Sequence, residues 1–163
     1  MKGSAKQIAV VGLFCALSVL GAQIHIFGSV ALDALPAFLA AFLLGGVPAA
    51  IVGAVGHLLT ALFSGFPLTL PLHLVIAVEM AALCFVTGLV AAKRPLLLAA
   101  IVGFVLNALV SPLILLVWPG MGLAVCLALL PVLALGSAVN AFGAALLAAL
   151  LKNRVPGIAK WRS

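Results

Sequence analysis

The sequence predicts an all-α integral membrane protein: one transmembrane domain over residues 1–163, built of six transmembrane helices, with the N-terminus and the C-terminus cytoplasmic. Three observations carry this reading. Hydrophobic residues make up 67% of the chain and charged residues 6%, whereas a soluble domain carries roughly a quarter charged residues. The apolar residues fall in long runs broken by Gly and Pro. A membrane-crossing helix needs about 20 mostly apolar residues, so a chain of this length holds about five to seven. The eight Lys and Arg gather at three places: Lys2 and Lys6; Lys93 and Arg94; and Lys152, Arg154, Lys160 and Arg162. Cationic segments are retained on the cytoplasmic side, and six crossings put all three clusters there.

Taken in order, the first helix covers about Gln7 to Ala22. Its basic start and apolar run resemble a signal peptide, but no small-residue cleavage site leads into a polar chain, so it is read as a permanent helix. Gln23 to Ser29 interrupts the run with His25 and Gly28. The second apolar stretch, Val30 to Leu44, is short and holds Asp33 and Pro36. It is either a tilted or irregular helix or partly loop, since non-helical backbone at membrane depth is tolerated only against protein or water. Gly45, Gly46 and Pro48 mark a turn, and the third helix spans about Val47 to Phe63. A turn-rich stretch with Ser64, Gly65 and Pro67 follows. The fourth helix runs from about Leu70 to Ala92, ending at Lys93-Arg94-Pro95. The fifth covers about Leu96 to Val117, ending at Trp118-Pro119-Gly120. The sixth, about Met121 to Leu151, is expected to kink at Pro131.

Net charge is +6, but no basic face or stacking platform accompanies it, so nucleic acid is not an expected partner; the lipid bilayer is. Cys15, Cys84 and Cys126 lie in apolar runs without metal or redox spacing. No Walker-type phosphate loop, HEXXH or convincing nucleophilic arrangement is present, so no catalytic residue, cofactor or metal is expected.

Ionisable groups are costly in hydrocarbon and usually face a cavity or a partner. His25 and Asp33 lie near the outer end of the first pair of helices. His57, Thr60 and Ser64 share one face of the third helix by their spacing. His73 begins the fourth helix, and Glu79 lies deeper in it. Asn107 and Ser111 share a face of the fifth helix, Ser137 and Asn140 a face of the sixth. These groups favour the outer half and the midplane. A pore needs polar lining through both halves, so the distribution points to a pocket open to the outside. Each residue also has a structural reading. The Asn and Ser side chains serve as interhelical hydrogen-bonding groups, Asp33 as a helix cap, Glu79 as a bridge to His57 or His73, and Trp118 as an interfacial anchor. Gly12 and Ala16 form a small-xxx-small pair on the first helix, suited either to internal packing or to docking on another membrane subunit.

The run from Gly56-His57 through Thr60, Ser64-Gly65-Phe66-Pro67, Pro71 and His73 to Glu79-Met80, together with Val30-Ala-Leu-Asp33-Ala-Leu-Pro36, resembles the substrate-binding S components of energy-coupling factor (ECF) vitamin transporters, most closely the subgroup assigned to alpha-ribazole, a cobalamin precursor. The resemblance implies a multi-pass subunit of a bacterial or archaeal plasma membrane that is not an enzyme. It implies capture of a vitamin or vitamin precursor in the outer half and assembly with a membrane scaffold and two ATPase subunits. Ligand contacts would come from Asp33, His57, Thr60, Phe66, His73, Glu79 and Asn107, with Phe63 and Trp118 as further aromatic walls. Gly12-Leu-Phe-Cys-Ala16 would stand where the family carries its docking motif, usually Ala-x-x-x-Ala. An S component for another vitamin, a small membrane enzyme using His and Glu, and a purely structural subunit are the competing readings.

The basic clusters make the topology testable. In a background lacking native Cys, cysteines placed at Gly28, Gly65 and Gly120 should react with an impermeant reagent from outside, and one placed at Lys93 should not. External labelling at Lys93 would contradict six crossings.

Overall fold

The computed structural model describes residues 5–26 and 30–151. Its elements are α1 (Ala5–Ala22), a two-residue strand β1 (His25–Ile26), a two-residue strand β2 (Val30–Ala31), α2 (Leu35–Leu43), α3 (Gly46–Phe63), α4 (Leu70–Lys93), α5 (Leu96–Val105) and α6 (Leu123–Leu151). After α5 the chain continues as a π-helical turn, Leu106–Val110, and a 3-10 segment, Ser111–Leu116. Lys2, Gly28 and the basic cluster at 152–162 lie outside the described residues.

Five helical segments are long and apolar enough to cross a membrane: Ala5–Ala22, Gly46–Phe63, Leu70–Lys93, Leu96–Leu116 and Leu123–Leu151. The second apolar stretch, Val30 to Leu44, is not among these long helices, and its helical part is short. Nine-residue α2, at 1.5 Å per residue, is about 13 Å long, under half of a hydrocarbon core about 30 Å thick. Pro36 stands at its start and the Gly45–Gly46 turn, with Gly45 at φ 96°, follows its end. A helix apolar on every side belongs in the interior, and that is where α2 lies. Pro36 through Leu43 are all buried, Phe38 and Phe42 to 0% and 1% exposure, and α2 packs against all five longer segments.

The bundle closes around α2 through small residues, which let membrane helices approach closely. On α3, Gly46, Ala49, Gly53 and Gly56 recur at three- and four-residue spacing. A Cβ on Gly53 would stand 2.8 Å from the Met80 carbonyl oxygen of α4, one on Gly88 2.6 Å from Gly46 Cα, and one on Gly56 2.7 Å from Ser18 Oγ of α1. One on Gly103 of α5 would stand 2.8 Å from the Phe38 ring. The outside is apolar, with Ile8, Val78, Leu97 and Leu146 exposed as a lipid-facing surface requires.

Two irregularities differ from the simple helix pattern. The fifth segment does not continue as α-helix to Val117. Pro112 has no N–H and would press on the carbonyl of Ala108, four residues back. The backbone widens to π before it and tightens to 3-10 after it. Pro131, by contrast, sits exposed inside an α6 that runs through it unbroken.

Because Gly88 meets Gly46 backbone to backbone, Gly88→Leu should destabilise the fold by about 1–3 kcal/mol or more through overpacking. It would appear as a lowered thermal midpoint in detergent. Gly12→Leu, where a Cβ would have nothing within 4 Å, should leave the midpoint unchanged.

Candidate functional site

Short α2 leaves the rest of the bundle's depth to be filled from the sides, and it is not filled. A cavity of about 320 Å³ lies there, within the size range of small-molecule sites, about 300–1,000 Å³. Ala34 and Ala37 at the start of α2 border it. α3 contributes Val52, Gly53 and His57, the first half of α4 contributes His73, Ile76, Glu79 and Met80, and the π and 3-10 turns contribute Asn107 and Ser111. The middle of α6 closes the far side with Leu129, Val132, Leu133, Gly136, Ser137 and Asn140. On α4 the lining residues stand toward the Leu70 end, away from Lys93 and Arg94.

The polar groups pair with one another. His57 Nε2 and His73 Nδ1 are 3.1 Å apart, with ring centroids at 5.2 Å. The Leu68 backbone N–H donates to His73 Nε2 at 3.5 Å. That acceptor role places the proton of a neutral His73 on Nδ1, from which it is donated to His57 Nε2, and leaves the His57 proton on Nδ1. Ser111 Oγ donates to Glu79 Oε2 at 3.0 Å. Asn107 Nδ2 donates to Ser137 Oγ at 2.9 Å. These last two bonds tie the fifth segment to α4 and α6. A π turn carries an extra residue over the α-helical count, which brings Asn107 and Ser111 close to the same side.

Of the residues named from sequence, Asp33, His57, His73, Glu79 and Asn107 line this one cavity. Thr60 does not. Its Oγ1 is buried without a hydrogen-bond partner and stands away from the lining. Phe66 does not line it either. It occupies the left-handed region at φ 51° in the α3–α4 turn and lays its ring 5.7 Å from the His73 ring, so it backs a lining residue. The two residues expected as aromatic walls lie outside the lining: Phe63 is 69% exposed, and Trp118 packs on a cluster of Leu72, Leu115 and Cys126. The walls are aliphatic. Glu79 bonds Ser111, while the two histidines pair with each other. Asp33 precedes the N-cap of α2, which is Ala34.

Asn140 does more than pack α6. Its Nδ2 donates to Ala31 O and to Gly136 O, both at 2.8 Å, so it fastens β2 to the sixth helix. Its Oδ1 is buried without a partner, a cost of about 1–3 kcal/mol. Ser18, a lone hydroxyl in an apolar helix, was not singled out from sequence, yet it too lines the cavity. Its Oγ donates to Phe14 O at 3.3 Å, and the signal was its polarity alone.

The chain's two acidic residues, Asp33 and Glu79, both border the cavity, and among the described residues no Lys or Arg does. Among the described residues no group of three or more His, Cys, Asp or Glu is placed to hold a metal ion. The arrangement offers hydrogen-bond donors and acceptors in an apolar chamber, which is the equipment of binding.

Gly12 and Ala16 lie elsewhere, exposed on α1 beside Leu13 and Leu17. They face outward rather than into the bundle.

A family model described as ECF transporter, substrate-specific component, matches residues 6–159. No curated protein and no solved structure matches the chain.

Proposed function

From the fact that the chain belongs to the ECF transporter substrate-specific component family, we propose that it captures alpha-ribazole from outside the cell for an ATP-driven importer. Members of this family are membrane-embedded binding subunits for vitamin uptake, not enzymes, and they work with ECF scaffold and ATPase modules. The observation that carries the ligand reading is the convergence of Asp33, His57, His73, Glu79 and Asn107 on one cavity of about 320 Å³. The cavity stands at the end of the bundle away from Lys93 and Arg94, which is the outer half if the basic clusters are cytoplasmic. Alpha-ribazole joins a dimethylbenzimidazole to a ribose. Ile76, Leu129, Val132 and Leu133 suit the apolar ring system. The carboxyl, imidazole and amide groups suit the ribose hydroxyls and the ring nitrogen. An aliphatic rather than aromatic lining also accommodates another vitamin or precursor, and the binding measurement separates the two.

Docking on the scaffold falls to the exposed Gly12 and Ala16 surface, where small side chains admit a partner helix closely. ATP hydrolysis belongs to the partner subunits, whose turnover would reorient the loaded chain and release ligand inward.

Calorimetry on the purified chain in detergent should detect alpha-ribazole binding. His57→Ala and Glu79→Gln should each weaken it. A lost hydrogen bond costs about 0.5–1.5 kcal/mol, up to about 3 when one partner is charged. At about 1.4 kcal/mol per decade, the loss runs from a few-fold to more than a hundredfold. Unaltered affinity in both variants would remove the site from this cavity, and no binding by the parent would remove the ligand.

The docking surface is tested separately. Gly12→Leu and Ala16→Leu should abolish co-purification with the scaffold and leave ligand affinity unchanged. Loss of ligand binding along with assembly would reassign the pair to internal packing.

A further inference from the structure

We infer that the cavity excludes anionic ligands and seats a cationic or hydrogen-bond-donating group against Glu79. The inference rests on the reading of the cavity as a ligand site and specifies the class of compound it accepts. Both carboxyl groups of the chain border the cavity, and among the described residues the cations Lys6, Lys93 and Arg94 stand outside its lining. Ser111 donates to Glu79 Oε2 at 3.0 Å, which orients the carboxyl group and leaves Oε1 to accept from a ligand. Across the site, Asn107 spends its Nδ2 on Ser137, so the atom it can offer a ligand is the acceptor Oδ1. Two acceptors therefore stand ready for a ligand's N–H or O–H groups.

A phosphate or carboxylate entering the same chamber would meet no Lys or Arg among the described residues. It would sit beside carboxyl groups in surroundings of low polarity, where like charges repel more strongly than in water. The donors facing it would be His57 and Ser137, neutral groups that do not replace the hydration an anion gives up. A hydroxyl, amine or amidine group meets the opposite situation. For a nucleoside-like ligand, this predicts that the phosphorylated form is refused and the free hydroxyl form accepted.

The test uses three compounds of nearly one shape, benzamidine, benzamide and benzoate, with the purified full chain in a non-ionic detergent. Thermal shift and ligand-observed NMR should rank them benzamidine at or above benzamide, with benzoate at least tenfold weaker. The chain's net charge of +6 favours the anion at ordinary surface sites, so refusal of benzoate reports the cavity. Glu79→Gln retains an oxygen to accept from Ser111 and should bring benzoate to within a few-fold of benzamide; Asp33→Asn provides a second variant should the first fail to fold. Benzoate binding as tightly as benzamide in the parent, an unchanged ranking in both variants, or no binding of any of the three would overturn the inference. A further pair separates it from the ligand proposal. Alpha-ribazole should bind at least tenfold more tightly than its 5′-phosphate. Equal binding of both keeps the ligand and overturns the inference. Refusal of both, with the fragment ranking as expected, overturns the ligand and keeps the inference.

Discussion

The structure depends on a short apolar helix held at the centre of a longer bundle. Phe38 and Phe42 of α2 are enclosed, and the Phe38 ring leaves no room for a side chain at Gly103 of α5. Nine residues cannot match the depth of the helices around them. Below the start of α2 the interior is packed solid; beyond it, the same ring of helices surrounds space. The cavity is thus a consequence of a length mismatch. Ala34 and Ala37, as small residues at the mouth of α2, keep the boundary low.

That arrangement also explains how so apolar a chain tolerates its polar side chains. Several groups that would be costly in hydrocarbon are turned toward the chamber and bonded to a neighbour on another element: His57 to His73, Ser111 to Glu79, Asn107 to Ser137. The bonds join α3 to α4, the fifth segment to α4, and the fifth segment to α6. They hold the walls in register where no side chain from the centre is present to do so. Pro112 contributes by breaking the regular helix at the depth where Asn107 and Ser111 must face inward.

The two ends of the molecule consequently have different characters. Toward the Lys93–Arg94 turn, glycine-lined helix contacts such as Gly46 on Gly88 make a dense core. Toward the α3–α4 turn lie the polar contacts His57–His73 and Glu79–Ser111, with β2 fastened to α6 through Asn140. On the outside of α1, Gly12 and Ala16 remain open. A densely packed half with an open small-residue face is thus joined to a chambered half.

By itself the sequence determined the solvent, the helices and the polar inventory. Hydropathy and Gly/Pro punctuation are local signals, and α3, α4 and α6 begin and end within about two residues of where those signals place them. Rarity likewise brought His57, His73, Glu79 and Asn107 to notice, because ionisable and amide groups in apolar runs stand out without any knowledge of contacts. Tertiary structure decided the rest. Whether Val30 to Leu44 crosses the membrane depends on what surrounds it, and burial on every side identifies α2 as an interior half-length helix. Thr60 shares a helical face with His57, yet the cavity wall curves away before reaching it. Phe66 and Trp118 are aromatic residues near the right depth, but left-handed backbone at Phe66 and the packing of Trp118 send their rings elsewhere. Which polar group pairs with which is a matter of distance between segments far apart in the chain, and local periodicity carries no information about that distance.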